Sequence, residues 1–174
     1  MTGKQWQDRQ VRILHPAPEF ALPAAAAMWW QAFGFWAGPA LPAIRAGHAM
    51  VALQGDRTLV GVAGLRDGSG GFLKRIPAAA RLAYRAAPPT ADLVIDGIVV
   101  ASRRKGTGRA LCMRAIELAR TRGLCGVRAE VRRNNRVARK FYADLGFSEI
   151  GRGRYGWPWT GQVLILRHDL SEPI

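Results

Sequence analysis

The sequence is short of acid, of lysine and of cysteine. Twelve Asp and Glu face 26 Lys and Arg across 174 residues, for a formal net charge of +14, and arginine supplies most of the positive charge. The two cysteines, Cys112 and Cys125, form no CxxC pair. That excludes a disulfide scaffold and a four-ligand zinc site, and it points to a reduced, cytoplasmic compartment. Both read as core cysteines. His15, His48 and His168 lack metal-ligand spacing, so no metal is expected. Helix-turn-helix, RNP and zinc-finger patterns are missing too. Uninterrupted apolar runs of membrane length are also missing. The stretch 20–44 carries no charge and follows Lys4, Arg9 and Arg12, as an anchor would, but Pro23, Gly34, Gly38, Pro39 and Pro42 break it. Leu22, Ala26, Trp29, Phe33 and Trp36 fall instead on one face of an amphipathic helix, and no membrane association is expected.

What remains is a globular composition of one-domain length. Its charge is uneven. Between Arg103 and Arg154 there are fifteen Lys and Arg against four Asp and Glu. That implies an anionic partner, whether nucleic acid, a membrane surface or a phosphate-bearing cofactor; an arginine-favouring genome explains part of the excess.

Periodicity and turn residues predict strands over 11–14, 48–53, 58–65, 93–100, 127–131, 147–151 and 163–168. Residues 48–65 read as a hairpin and 67–71 as a glycine-rich loop. Helices are predicted over 22–37, 76–86, 106–122 and from Asn134 or Asn135 to about 145. Ala110, Leu111, Met113 or Arg114, and Leu118 form the apolar stripe of the third, and Gly123 caps it. The run LVIDGIVV at 93–100 is that of a central strand. The order is mixed α/β, strand-helix-strand-helix-strand in the second half.

The chemistry sits where that strand meets the next helix. In 103–109, RRKGTGR, two glycines bring backbone N–H groups close to a ligand, the helix start adds unpaired amides and a positive dipole end, and three cations precede it. This suits a pyrophosphate, although an isolated GxG is as often an ordinary turn. It is not a Walker loop, because no Lys-Ser/Thr follows Gly108. It is not a dinucleotide fingerprint, because Leu111 stands where the third glycine belongs. Further on comes EVRRNNRVARKFYADLGF at 130–147.

Together RRKGTGRAL and EVRRNNRVARKFYADLGF resemble the GCN5-related N-acetyltransferase (GNAT) superfamily. Arg103 to Gly108 matches its R/Q-x-x-G-x-G/A motif. Asn135, Ala138, Tyr142, Gly146 and Phe147 match its N-x-x-A-x-x-x-Y-x-x-x-G-F pattern. The specific resemblance covers about 93–150. It implies one acetyltransferase domain over 1–174, with a mostly antiparallel sheet of about six to seven strands, splayed at its two central strands and flanked by helices. It implies a cytoplasmic, bacterial-type enzyme that moves an acetyl group directly from acetyl-CoA to a primary amine of a small molecule or a peptide N-terminus.

The resemblance also implies roles. Ile98, Val99 and Val100 accompany the pantetheine arm. Arg103, Arg104, Lys105, Gly106, Thr107, Gly108 and Arg109 hold the pyrophosphate, and Asn135 and Ala138 adjoin the cofactor. Tyr142 protonates the departing thiolate, and Glu130, Asp96 or a water relay removes the proton of the amine. Asn135 is also a natural helix cap, Tyr142 a natural core aromatic and Asp96 a natural arginine partner. The segment Ala101-Ser102 is two residues shorter than the family's usual connection. No nucleophile is implied, nucleic acid is not expected as a partner, and the pattern allows a homodimer. The acceptor side is expected at about 20–46 and 153–161, which hold every tryptophan except Trp6. Aromatic contacts there suit an apolar or cationic amine; the acidic clusters that would grip a polyamine or aminoglycoside are absent.

Overall fold

The computed structural model describes residues 10–33, 40–75, 83–102 and 106–171. The elements run β1 (Val11–Leu14), a 3-10 turn (Glu19–Ala21), α1 (Leu22–Phe33), a second 3-10 turn (Ala46–His48), β2 (Ala49–Gln54), β3 (Thr58–Asp67) and β4 (Gly70–Gly71). Then come β5 (Leu93–Val100), α2 (Thr107–Thr121), β6 (Gly126–Arg132), α3 (Arg136–Ala143), β7 (Ser148–Gly153) and β8 (Val163–Asp169). The strand order is β1-β2-β3-β5-β6-β8-β7, with β4 on β3. The β5–β6 pair is parallel, while β1–β2, β2–β3, β3–β4, β6–β8 and β7–β8 are antiparallel. This is the mixed, mostly antiparallel sheet expected, lengthened by the two-residue β4.

Two compact units make up the chain: Met1–Lys74 with Asp96–Arg114, and Arg75–Ile95 with Ala115–Ile174. In the first, α1 covers β2 and β3. Its buried positions are Ala25 and Ala26, with Leu22 and Trp29 partly buried beside them. These fall at i, i+3, i+4 and i+7 from Leu22, one helical face. The small alanines let the helix lie close to the strands, and Val51, Leu53, Val62 and Phe72 fill the layer beneath. Phe33, expected on the buried stripe, is 40% exposed. Trp36 lies outside the described residues, as do Gly34, Gly38 and Pro39.

Within β5, Gly97 takes φ 153°, a backbone that L side chains rarely adopt. A Cβ there would lie 2.6 Å from Phe33 and 3.3 Å from the Trp29 indole nitrogen. Gly97 lies two residues beyond Ile95, the last residue of β5 in the parallel register with β6 (Leu93–Ile95 on Val127–Ala129).

The predicted glycine-rich loop is a tight β3–β4 hairpin, with Arg66 paired to Gly71 and Asp67 to Gly70. Asp67 accepts from the Ser69 hydroxyl (2.6 Å), the Ser69 amide (2.8 Å) and the buried His48 ring (3.1 Å). Burial pushes its carboxyl up, but the bonds from Ser69 and His48 outweigh that and hold it at about 2, below its ordinary 3.8. The folded pKa is depressed, so the ionised carboxylate contributes stability that is fully present above pH 3.8 and lost as pH falls through about 2. We expect Asp67→Asn to cost roughly 1 kcal/mol at pH 7, after solvent screening, and progressively less as pH falls toward and below the folded pKa. Urea midpoints for both proteins across that range check this; parallel curves would assign the acid limb to other carboxylates.

In the second unit, β6 and β8 pair over seven registers. Val163 to Leu166 are buried without a break, the mark of a strand covered on both faces. Arg167 donates to both oxygens of Asp92 at 2.9 and 3.2 Å, a bidentate pair that fixes the start of β5. Asn135 caps α3 by accepting from the Ala138 amide at 3.0 Å. Gly146 N–H to Ala143 O and Phe147 N–H to Tyr142 O, both 3.0 Å, close its other end.

Three expectations are corrected here. The alanine-rich helix over 76–86 does not reach its predicted end: Arg85 pairs with Gly156 through two backbone bonds of 2.8 and 2.7 Å, which require extended chain. Residues 76–82 lie outside the described residues. The buried stripe of α2 is Leu111, Cys112, Ala115, Ile116 and Ala119, whereas Ala110 and Met113 are exposed. Leu111 and Ile116 are fully buried on this face, with the small Cys112, Ala115 and Ala119 beside them. Finally, Cys112 is buried but Cys125 is exposed, in the turn before β6.

Candidate active site

The described cofactor candidates of the first unit lie at the end of β5 and in the first turn of α2. Ile98, Val99 and Val100 are half-buried at the end of β5, and Ala101 N–H bonds Val60 O at 2.9 Å. Arg103, Arg104 and Lys105 lie outside the described residues. Gly106 then takes φ 79°, with open space where a Cβ would be, and its carbonyl accepts the first helical bond from Ala110 at 2.9 Å. The N–H groups of the following first turn have no intrahelical acceptor and face the positive end of the helix dipole.

Packing fixes where that turn sits. Thr107 is buried, and its methyl lies 3.1 Å from where a Cβ on Gly61 of β3 would be; Leu111 is equally close and Val99 O is at 3.3 Å. Gly61 thus lets the start of α2 lie against β3 and the end of β5. Gly108 is half-buried and Arg109 exposed in the same turn. An open glycine corner leading into bare amides fits a pyrophosphate.

Asp96 lies in this unit too, and Arg66 donates to it at 2.9 Å. Sequence reasoning missed the Trp29 indole N–H, which is buried without a hydrogen-bond partner beside Gly64 and Gly97. Helical spacing placed Trp29 on the core face and gave no sign that its polar atom would be left bare.

The second unit carries Glu130, Asn135, Ala138 and Tyr142. Arg128, 3% exposed, donates to Pro88 O at 2.7 Å and to Glu130 Oε1 at 3.1 Å, so one oxygen of the candidate base is held by a buried guanidinium. Asn135 spends its side-chain oxygen on the cap, which leaves its NH2 group to donate. Tyr142 is 6% exposed, with its ring edge-on to Phe141 and Phe147 at 5.0 Å centroid distance.

Burial pushes the Cys112 thiol up to about 12, only slightly opposed by Arg109. Such a thiol is a poor nucleophile. With the native protein at pH 8, we expect a thiol reagent to modify Cys125 and leave Cys112 untouched until unfolding. Peptide mass spectrometry checks this, and prompt labelling of Cys112 would reopen a covalent route. Among the described residues no group of three or more His, Cys, Asp or Glu could hold a metal ion. None of their helices is long and apolar enough to cross a membrane.

The chain belongs to the acetyltransferase (GNAT) family, whose model matches residues 15–147. It is therefore an N-acetyltransferase of the acetyl-CoA-dependent kind. No curated protein matches the sequence. Solved structures share the fold at low identity. The Escherichia coli ribosomal-protein-S18-alanine N-acetyltransferase is 18% identical, with 95% of this chain and 97% of that one covered and a TM-score of 0.59. A GCN5-related N-acetyltransferase from Kribbella flavida is 23% identical, covering 92% and 98%, with a TM-score of 0.59. The Salmonella typhimurium protein yncA, solved with its cofactor acetyl-CoA, is 18% identical, covering 94% and 95%, with a TM-score of 0.61.

Proposed function

We propose that residues 1–174 act as one cytoplasmic, bacterial-type acetyltransferase domain that acetylates a primary amine on a small molecule or a peptide N-terminus. The observation that carries this reading is the Gly106 corner feeding the first turn of α2, seated on β3 through Gly61. Acetyl-CoA supplies the activated acetyl group. The amides of 106–109 hold its pyrophosphate, with Arg103, Arg104 and Lys105 adding charge, and the backbone of Ile98 to Val100 accompanies its pantetheine arm.

The residues of the second unit join in through the family mechanism. Asn135 and Ala138 adjoin the cofactor. Tyr142 gives a proton to the departing thiolate sulfur. Glu130 takes a proton from the amine, directly or through water, and its bond to Arg128 sets which oxygen is engaged. Asp96, to which Arg66 donates as Arg128 does to Glu130, is the alternative base.

The test is thiol release from acetyl-CoA against a panel of small amines and peptides. Turnover with one acceptor class, undiminished by EDTA, is the expected result. Binding of acetyl-CoA with no turnover on any amine would reject the amine acceptor while leaving the cofactor reading in place.

A further inference from the structure

Two buried side-chain nitrogens among the described residues meet no acceptor: Arg128 Nε and the indole nitrogen of Trp29. The Arg128 guanidinium is already bonded to Pro88 and Glu130. Trp29 has a single donor and spends it on nothing. Folded chains leave few buried donors bare, because the hydration they give up goes unreplaced. Trp29 as a whole is only half-buried, so its ring lies at the margin of the core of the first unit. The rings of Phe33 and Phe72 pack on it at 5.0 and 5.1 Å, tilted by 54° and 44°, and an aromatic face is at most a weak acceptor.

Bare backbone surrounds this donor. The indole nitrogen lies 3.2 Å from where a Cβ on Gly64 of β3 would be, and 3.3 Å from where one on Gly97 of β5 would be. Close packing of a ring explains both glycines, but it does not explain an indole. A phenyl ring uses the same notch: Phe33 comes within 2.6 Å of the Cβ position on Gly97. What tryptophan brings to this place, and phenylalanine would not, is the N–H.

Its place along the strand names the ligand. With the pyrophosphate on 106–109 and the pantetheine arm running back along Val100, Val99 and Ile98, the thioester end arrives at Gly97. We propose that Trp29 donates its indole N–H to the acyl oxygen of acetyl-CoA, with the acyl methyl toward the edge of the Phe33 ring. That oxygen is the one polar atom of the acyl group. It gains negative charge as the amine nitrogen bonds the carbonyl carbon and loses it again as the C–S bond breaks, so a fixed donor there favours the transition state. The inference rests on the cofactor reading above, and it gives to the acyl group a residue of the stretch 20–46 otherwise assigned to the amine.

The test is an NMR spectrum of the indole N–H groups of the full chain, titrated with acetyl-CoA and, separately, with CoA. The chain has six tryptophans, and the Trp29 signal is the one missing from Trp29→Phe, or from Trp29→Tyr should that variant not fold. Acetyl-CoA is expected to move this signal downfield of the position it takes with CoA, which has no acyl oxygen. By calorimetry, Trp29→Phe should lose about three- to tenfold of the preference for acetyl-CoA over CoA, the value of one neutral hydrogen bond. Its kcat should fall at least about tenfold. Its melting temperature should stay within a few degrees, since the variant gives up ring contacts together with an unsatisfied donor. A Trp29 signal in the same place with both ligands, or an undiminished preference in the variant, would overturn the proposal and leave the cofactor reading standing. Failure of acetyl-CoA to bind the wild-type chain would overturn both.

Discussion

Gly108→Val is expected to abolish acetyl-CoA binding, raising Kd at least about a hundredfold, or roughly 2.7 kcal/mol. Gly108 is the second residue of α2 and half-buried. Its backbone is helical, so the left-handed corner is the business of Gly106, whose φ is 79°. What Gly108 supplies is a bare amide in a turn where the N–H groups have no helical acceptor. The branched methyls of valine would cover the surface that a pyrophosphate must approach. Valine and glycine differ little in helix propensity, so the fold should survive, and circular dichroism should show an unchanged melt within a few degrees. Calorimetry on Gly108→Ala should give an intermediate affinity. Wild-type affinity in Gly108→Val would move the anion site off this turn.

Tyr142→Phe is expected to cut kcat at least about tenfold while CoA affinity stays the same. General acid catalysis is worth roughly 10²–10⁴-fold, and tenfold corresponds to about 1.4 kcal/mol of transition-state stabilisation. A thiolate leaves tolerably without help, which sets the expectation at the lower end. The ring is packed against Phe141 and Phe147, and phenylalanine keeps those contacts. Asn135 stands seven residues earlier, two turns back along the same face of α3, so both can address one ligand. A buried tyrosine needed only for packing would leave kcat intact, and its melting temperature would be the quantity to change. Measuring both on the one variant separates the two roles.

Much of the frame was legible from local signals. The strands at 11–14 and 93–100 match their predicted bounds residue for residue, because turn residues and the apolar run bracket them. Gly123 and Gly146 end their helices as expected, since carbonyls at a helix end need donors and a left-handed residue supplies them. Asn135 was legible as a cap for the same reason. The errors lie where distant chain decides. Arg85 is extended because Gly156 pairs with it, seventy-one positions away, and alanine-rich composition cannot express that. Cys125 reads as apolar, but the turn into β6 turns it outward.

The sequence by itself determined the class of this protein. Two short motifs at the right separation carry the glycine corner, the helix start and the Asn–Tyr helix, because those features depend on residues within a few positions of one another. Tertiary structure alone decided the surroundings. Gly61 admits the start of α2 and Gly97 admits Trp29 and Phe33, across gaps of tens of residues. Arg66 occupies Asp96, and Arg128 occupies Glu130 while reaching back to Pro88. Close approach and ion pairing are set by which strands and loops become neighbours, and that depends on the packing of the whole chain rather than on any window of it.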